Sequence, residues 1–451
     1  MVVSEISISE MNRFYNREKE IQLLQQIKES STASGQFTVV TGRRRIGKTQ
    51  LLLKTFEGER FLYFFVARKS EMLLCSDFQA EISQKLAIPL FGNIQSITTI
   101  FEFLINYSKQ ENLTLIVDEF QELLHINPSV FSDLQRLWDL NSKNCKLNLI
   151  VSGSIISLMY KIFEDKSEPL FGRANHKLHI KAFETKTLKE ILLDYHPKYT
   201  SEDLLALYSF TGGVAKYVQL FMENKAFTKD KMIAYLISEQ SLLINEGKNI
   251  LIEEFGRDYG IYFSILSEIA QGHTKRSELE DILNREIGGY LTKMERDFNL
   301  IKRATPIFSK NSESKNMKYI LEDNFLIFWF RFIYKYQHIL EIGANEQLQR
   351  IITRDYETFS GGMLEKYFRT KAMESKKFTN IGNYWDRKGS IEIDYIALNE
   401  IDKTIDFGEV KRNKKKIDLV KLHQKITLLS MEIKFLSLYE ISLVSLGLED
   451  M

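Results

Sequence analysis

Cysteine is nearly absent from the sequence. Cys75 and Cys145 are the only two in 451 residues, and neither stands at a metal-ligand spacing. A disulfide-built scaffold and a thiolate metal site are excluded, and free thiols in a reducing compartment are expected. An excess of either charge is missing too. Lys+Arg total 61 against 60 for Asp+Glu, a net charge of +1. The whole chain is no polycation, so any contact with nucleic acid must rest on a local patch. Long apolar runs are also lacking. The most apolar stretch, Phe325 to Tyr334, contains Arg331 and is about half a membrane span. The opening residues, MVVSEISISEMNRF, have no basic stretch followed by an apolar one, so no signal peptide is expected. These absences point to a cytoplasmic, soluble protein with no membrane partner. What is present is an ordinary apolar fraction, 44%, and a length that suggests roughly two to four domains.

The most informative stretch is Phe37 to Thr49, FTVVTGRRRIGKT. A short apolar run rich in β-formers ends at Gly42. Residues Gly42 to Thr49 then fit G-x-x-x-x-G-K-[ST], and good helix formers follow from Gln50. Strand, glycine-bounded loop and helix are the context this phosphate-loop motif requires. Gly42 and Gly47 allow backbone angles and close approach that a Cβ would block. Backbone N–H groups and the helix N-terminus then face an anion. Lys48 is expected to reach the β- and γ-phosphates of ATP, and the Thr49 hydroxyl to sit on Mg²⁺. Arg45 and Gln50 are the further loop and helix candidates for nucleotide contact.

Downstream, Arg60 to Val66 reads as a buried strand, and Ser76 to Leu86 and Ile97 to Tyr107 as helices. Leu113 to Val117 is a third apolar strand, ending at Asp118-Glu119. A strand that stops at two carboxylates about 70 residues after a phosphate loop places Asp118 to hold Mg²⁺ through water and Glu119 to activate the attacking water. Leu147 to Val151 is a fourth such strand, ending at Ser152-Gly153-Ser154. Lys177 to Ile180 is a short final strand. These strands with helical connections predict a parallel sheet with helices on both faces.

From Phe183 to about Ile250 the pattern is helical. Ile261 to Ala270, Lys275 to Leu283 and Ile287 to Leu300 read as three helices. Two strand-like pieces follow, Ala304 to Phe308 and Lys318 to Leu321, separated by the polar turn Lys310 to Asn316. That is the order of a winged helix. The polar positions of its third helix, Thr292, Lys293, Glu295, Arg296, Asp297 and Asn299, are mixed in charge. A structural or protein-contact role is therefore favoured over reading a DNA groove. The aromatic-rich Phe325 to Tyr336 reads as a core helix joining domains. Further on, a helix is expected at Phe359 to Thr370. Strands are expected at Ile391 to Leu398 and Thr404 to Lys411, joined by a polar turn. Glu409 and Lys411 share one face of their strand. The segment after it carries Arg412, Lys414, Lys415, Lys416, Lys421 and Lys425, either a phosphate-backbone surface or a solvated basic face.

Several of these segments resemble known families. Phe14 to Ile21 resembles the GRE box that precedes the phosphate loop in AAA+ and STAND-type ATPases, with Asn16 in place of the usual Gly. There the box lies against the nucleotide base, which implies a cofactor contact for Arg17. A plain amphipathic helix capped by Asn16, with Ile21, Leu24 and Ile27 inward, is the alternative. In the AAA-like family a polar residue at the position of Ser152 or Ser154 touches the γ-phosphate or the lytic water. A strand-exit turn is the other reading of Ser-Gly-Ser. Pro169 to Arg173 resembles the PLYGR segment of prokaryotic ATPases of this type. Arg173 would then offer charge to a γ-phosphate, in cis or from a neighbouring copy, or be an exposed surface arginine. Thr211 to Tyr217 resembles the GG-x-P segment of a helical lid, with Val214-Ala215 where the Pro falls. Asp394, Glu409 and Lys411 resemble the PD-(D/E)XK nuclease superfamily, which implies a Mg²⁺ site with Glu365 as third carboxylate and Lys411 beside the water.

Taken in order, the segments resemble the archaeal-type AAA+/STAND-related P-loop ATPases with a C-terminal nuclease-like domain of unknown function. The resemblance implies an α/β fold in five parts. These are an ATPase core at 1–181, a helical lid at 182–254, a winged helix at 255–324, linker helices at 325–355 and a nuclease-like domain at 356–451. ATP and Mg²⁺ are the expected cofactors, and DNA and a second copy of the chain the possible partners. An ATP-driven machine on DNA, an ATP-controlled assembly switch and a nucleotide-gated nuclease are the three functions left open.

Overall fold

The unbroken apolar runs at Leu113–Val117 and Leu147–Val151 are the pattern of parallel strands covered on both faces. Both become strands with every residue buried. The computed structural model of the chain describes residues 13–88, 92, 94–255, 259–309 and 316–451. The expectations for residues 1–12 and for the turn residues 310–315 lie outside the described residues. The chain forms two compact units, Met1–Lys181 and Ala182–Met451.

The first unit is built on a five-stranded sheet of β1 (Gln36–Thr41), β2 (Leu62–Phe65), β3 (Leu113–Asp118), β4 (Leu147–Gly153) and β5 (His176–His179). The order is β2-β3-β4-β1-β5 and every pairing is parallel. One face carries Phe37, Val39, Leu115, Val117, Leu149 and Val151, which share a core with Phe78, Leu104, Leu134 and Trp138 from helices Glu71–Leu86, Ile97–Tyr107 and Ser129–Asn141. Helix Glu18–Ser31 packs on β1 and β4. The helix expected from Ser76 begins at Glu71 behind an extended Ser70, because the inward spacing of Leu74, Cys75, Phe78 and Ile82 already starts there. The strand order has one functional consequence. β4 lies between the strand that carries the phosphate loop and the strand that carries Asp118, so all three strand ends meet at one edge.

The second unit opens with five helices between Thr185 and Phe255. Gly213 (φ 77°) turns the chain between two of them, and a Cβ there would lie 2.5 Å from Phe183 O. Helices Tyr259–Gln271, Arg276–Leu283 and Gly288–Arg296 follow. They lead into an antiparallel hairpin of β6 (Ile301–Ala304) and β7 (Lys318–Leu321). The third helix stops four residues before the expected Leu300, with Asn299 in the left-handed region (φ 50°). The first strand accordingly comes earlier than 304–308, where Pro306 has no N–H for a ladder. The aromatic stretch is helical to Phe328 and π-helical from Trp329 to Tyr334.

A single helix then spans Asn345–Ser375. The boundary expected at 355/356 falls inside it, so linker and C-terminal fold are one continuous element there. It packs on β8 (Asn380–Trp385) and β9 (Glu392–Asn399). With β10 (Thr404–Val410) and β11 (Glu440–Leu446), these strands form a sheet in the order β11-β10-β9-β8. Helix Leu419–Glu432 places Leu422, Ile426 and Leu429 in a core with Ile405 and Phe407. Among the described residues, no helix is long and apolar enough to cross a membrane.

Candidate functional site: a phosphate loop facing two carboxylates

The loop leaves β1 at Gly42, where the chain runs close to the exit of β5. Ile180 N donates to Thr41 O at 2.8 Å, and a Cβ on Gly42 (φ 155°) would lie 2.8 Å from Ile180 O. A bare α-carbon is required there. Gly47 (φ 95°) turns the chain into helix Lys48–Thr55, and Arg45 is also in the left-handed region (φ 65°). The Lys48 ammonium is buried and donates to Gly42 O at 2.8 Å and Arg43 O at 3.3 Å. Burial holds its pKa below the usual lysine range, against the opposing pull of Glu119 and Asp118.

Asp118 is 2% exposed and saturated with donors. Its Oδ2 accepts from Thr49 Oγ1 at 2.6 Å and from Tyr63 OH at 2.9 Å. Its Oδ1 accepts from Glu119 N at 3.0 Å and from Ser152 Oγ. Burial, then the negative charge of Asp118, push the Tyr63 hydroxyl well above the usual tyrosine range, so it stays a donor. Glu119 adopts a left-handed backbone (φ 55°), a strained conformation of the kind that collects at functional sites. Its Oε2 accepts from Gln121 Nε2 at 2.5 Å and Ser154 Oγ at 2.8 Å. The next acid, Glu122, is held by Arg68 through two hydrogen bonds of 2.8 and 3.0 Å.

These residues fit a magnesium nucleotide. The loop runs through left-handed Gly47 into the N-terminus of helix Lys48–Thr55 with the Lys48 ammonium held inside it, and such a helix start fits an anion. Thr49 and Asp118 together offer the hydroxyl and carboxylate oxygens that a hard cation takes.

Other expected site residues lie elsewhere. Arg17 is buried and donates to Lys181 O at 2.8 Å and Ile46 O at 3.5 Å. It ties the phosphate loop to the segment after β5. Gln50 is exposed on the first turn of its helix. Arg173 pairs with Asp139 at 3.1 Å and donates to Phe171 O. The neighbouring Asn175 bonds Phe37 at the start of β1. Arg173 is therefore at the end of the sheet opposite Gly42. Ser152 and Ser154 each hold a carboxylate. Tyr63, Gln121 and His179 were not singled out by sequence. His179 Nδ1 lies 3.1 Å from Thr41 Oγ1, and burial, Lys181 and Lys48 hold its imidazole below the usual range.

In the second unit, Lys411 Nζ lies 3.4 Å from Glu409 Oε1 and 3.8 Å from Asp394 Oδ2. Lys425 Nζ takes the other Glu409 oxygen at 3.4 Å, and Val410 N donates to Asp394 Oδ2 at 3.0 Å. Glu365 is 3.5 Å from Arg369, and its electrostatic neighbours include Asp394 and Lys411. The side chains meet, but as a net of ion pairs. Among the described residues, no three His, Cys, Asp or Glu side chains are grouped to hold a metal ion. The expected three-carboxylate Mg²⁺ site does not fit this arrangement. The basic segment is also partly spent. Arg412 donates to Glu202 and Ser360 at 2.6 Å, and Lys414 pairs with Asp450 at 2.8 Å.

Residues 14–221 match the family described as an ATPase domain predominantly from Archaea. Residues 329–419 match a family of archaeal and bacterial proteins of unknown function. The chain is 31% identical over 424 residues to an uncharacterised protein of Methanocaldococcus jannaschii, covering 92% of this chain and 91% of that one. A Walker-type ATPase of Pyrococcus abyssi shares the fold with a TM-score of 0.54 at 19% identity, over 70% of this chain and 96% of that one. The ORC2 protein of Aeropyrum pernix, in ADPNP–ADP complexes, gives a TM-score of 0.51 at 16% identity, over 74% and 96%. The chain belongs to one family with the Methanocaldococcus jannaschii protein, and its residues 14–221 match an ATPase domain found predominantly in Archaea.

Proposed function

We propose that the first unit binds ATP with Mg²⁺ at the 42–49 loop and hydrolyses it. The observation that carries this reading is the 2.6 Å hydrogen bond between Thr49 and Asp118, with Lys48 and Glu119 flanking it at one edge of the sheet. Lys48 releases the loop carbonyls and turns its ammonium to the β- and γ-phosphates. Thr49 and Asp118 hold the metal, which when bound neutralises charge on the phosphate oxygens. Glu119 accepts a proton from the attacking water as the new P–O bond forms and the bond to the ADP oxygen breaks.

Two variants test the reading. Lys48→Ala removes the charge on the phosphates and should abolish ATP binding by calorimetry. Glu119→Gln should keep ATP bound and slow turnover by roughly 10²–10⁴-fold, the worth of a positioned general base. Wild-type affinity in the first or wild-type turnover in the second sinks the corresponding assignment.

A second reading concerns the other unit. Lys415, Lys416 and Lys421 are exposed, next to the Lys411 ion-pair net. They favour a nuclease-like module that binds nucleic-acid phosphates; in the same reading residues 182–254 are a helical lid and residues 255–324 a winged helix. ATP hydrolysis stimulated by DNA supports that reading, and hydrolysis indifferent to DNA counts against it.

A further inference from the structure

Gln121 is completely buried two residues past Glu119. Its Nε2 donates to Glu119 Oε2, while its Oε1 has no hydrogen-bond partner among the described residues. A glutamine half satisfied in the interior costs stability relative to an apolar residue of its shape. The fold nevertheless makes room for it. A Cβ on Gly153 would lie 2.4 Å from Gln121 Oε1 and 2.4 Å from Met159 Sδ. The amide thus occupies a slot that only a bare α-carbon leaves open. Ser154, one residue on, donates to the same Glu119 oxygen at 2.8 Å. Both donors meet on Oε2, and Oε1 accepts no hydrogen bond among the described residues.

We propose that Gln121 is the positioning residue for the hydrolytic carboxylate. It pins Oε2 so that Oε1 is the oxygen presented to water, and Gly153 is the space that lets it do so. This rests on the reading of Glu119 as general base. The bond also accounts for the left-handed turn at Glu119, which brings its carboxylate back within reach of the Gln121 amide.

The test uses the full chain. Gln121→Leu fills the slot without the donor. Turnover should fall about tenfold or more, since misplacing a reacting group by about 1 Å costs up to roughly 10²-fold. The dissociation constant for ATP should move less than about twofold. In a Glu119→Gln background the same change should have no further effect, because residues acting as a unit are not additive. Gln121→Glu gives a signature that packing alone would not. At low pH its neutral carboxyl donates an O–H to Oε2 and restores turnover. At higher pH its ionised form repels Glu119, so turnover falls as pH rises while the wild type does not follow. Gly153→Ala should reproduce the Gln121→Leu loss by displacing the amide.

Wild-type turnover in Gln121→Leu overturns the proposal, as does a loss that multiplies with that of Glu119→Gln. Wild-type turnover in Glu119→Gln alone overturns the general-base reading, and the positioning role with it. If Gln121→Leu does not fold, the pH profile of Gln121→Glu decides, and a profile parallel to wild type overturns the proposal.

Discussion

Glu365 shows what one buried carboxylate does to this fold. Burial first, then Asp394, push its pKa up to about 7, against the pull of Arg369. The folded value lies above the ordinary glutamate value, so the folded chain holds the proton more tightly than the unfolded one. Its contribution to stability is therefore full below the unfolded pKa, about 4.3, and is lost as pH rises through about 7. Glu365→Gln removes the titration and keeps an acceptor for Arg369. In EDTA, the variant's melting temperature should exceed that of the wild type by a margin that widens from pH 5 to pH 8. A margin that is constant or shrinks over that range contradicts the sign. Lys411 is raised as well, but by ion pairing and not by burial. Asp394 and Glu409 outweigh its burial and raise its pKa, so the ion pairs it makes persist over the same range.

At the scale of elements, the turn between helices Ser201–Thr211 and Ala215–Glu223 depends on Gly213. Its φ of 77° and the 2.5 Å approach of a Cβ to Phe183 O leave no room for a side chain. Phe183 N also donates to Gly213 O at 2.8 Å, so the two backbones are locked together. Gly213→Ala should destabilise the second unit by at least the roughly 1–3 kcal/mol of a residue forced into that region. The loss should appear in thermal melts. An undiminished melting temperature would mean that the turn can move.

The same elements show what the sequence could reveal. The phosphate loop and the strands ending at Thr41, Asp118 and Gly153 were legible, because each is a local pattern: an apolar run closed by glycine, carboxylate or serine. Strand order was not legible, since nothing local says that β4 lies between β1 and β3. Every contact that depends on that order was hidden with it. Ser152 and Ser154 hold carboxylates because β4 runs beside β3. Tyr63 meets Asp118 because β2 pairs with β3 at Phe65. Arg173 looked like a site residue from its motif, but β5 starts at the far end of the sheet. The bonds of Arg17 to Lys181 O and Ile46 O were hidden in the same way.

Across the whole molecule, charge decides what a polyanion would meet. A net charge of +1 supplies no general attraction, so binding must come from cations that the fold leaves unspent. The run from Lys411 to Lys425 looks basic as a string, yet Lys411, Arg412, Lys414 and Lys425 each neutralise an acid. Lys415, Lys416 and Lys421 remain exposed on the short turn Lys414–Lys416 and on the first turn of helix Leu419–Glu432. If this face binds a nucleic-acid backbone, its affinity must fall with salt, because each phosphate contact releases counterions and adds about 0.9 to the log–log slope for duplex DNA. Changing Lys415, Lys416 and Lys421 together to Gln should lower that slope by roughly 2–3 and weaken binding uniformly across sequences. Fluorescence anisotropy with one labelled duplex at several salt concentrations measures both quantities. A triple variant with the wild-type slope would move the contact away from this face. Binding that ignores salt in the wild type would remove the electrostatic role altogether. ATP hydrolysis measured without DNA should be unchanged in the triple variant, because none of the three lysines bonds the phosphate loop, Asp118 or Glu119.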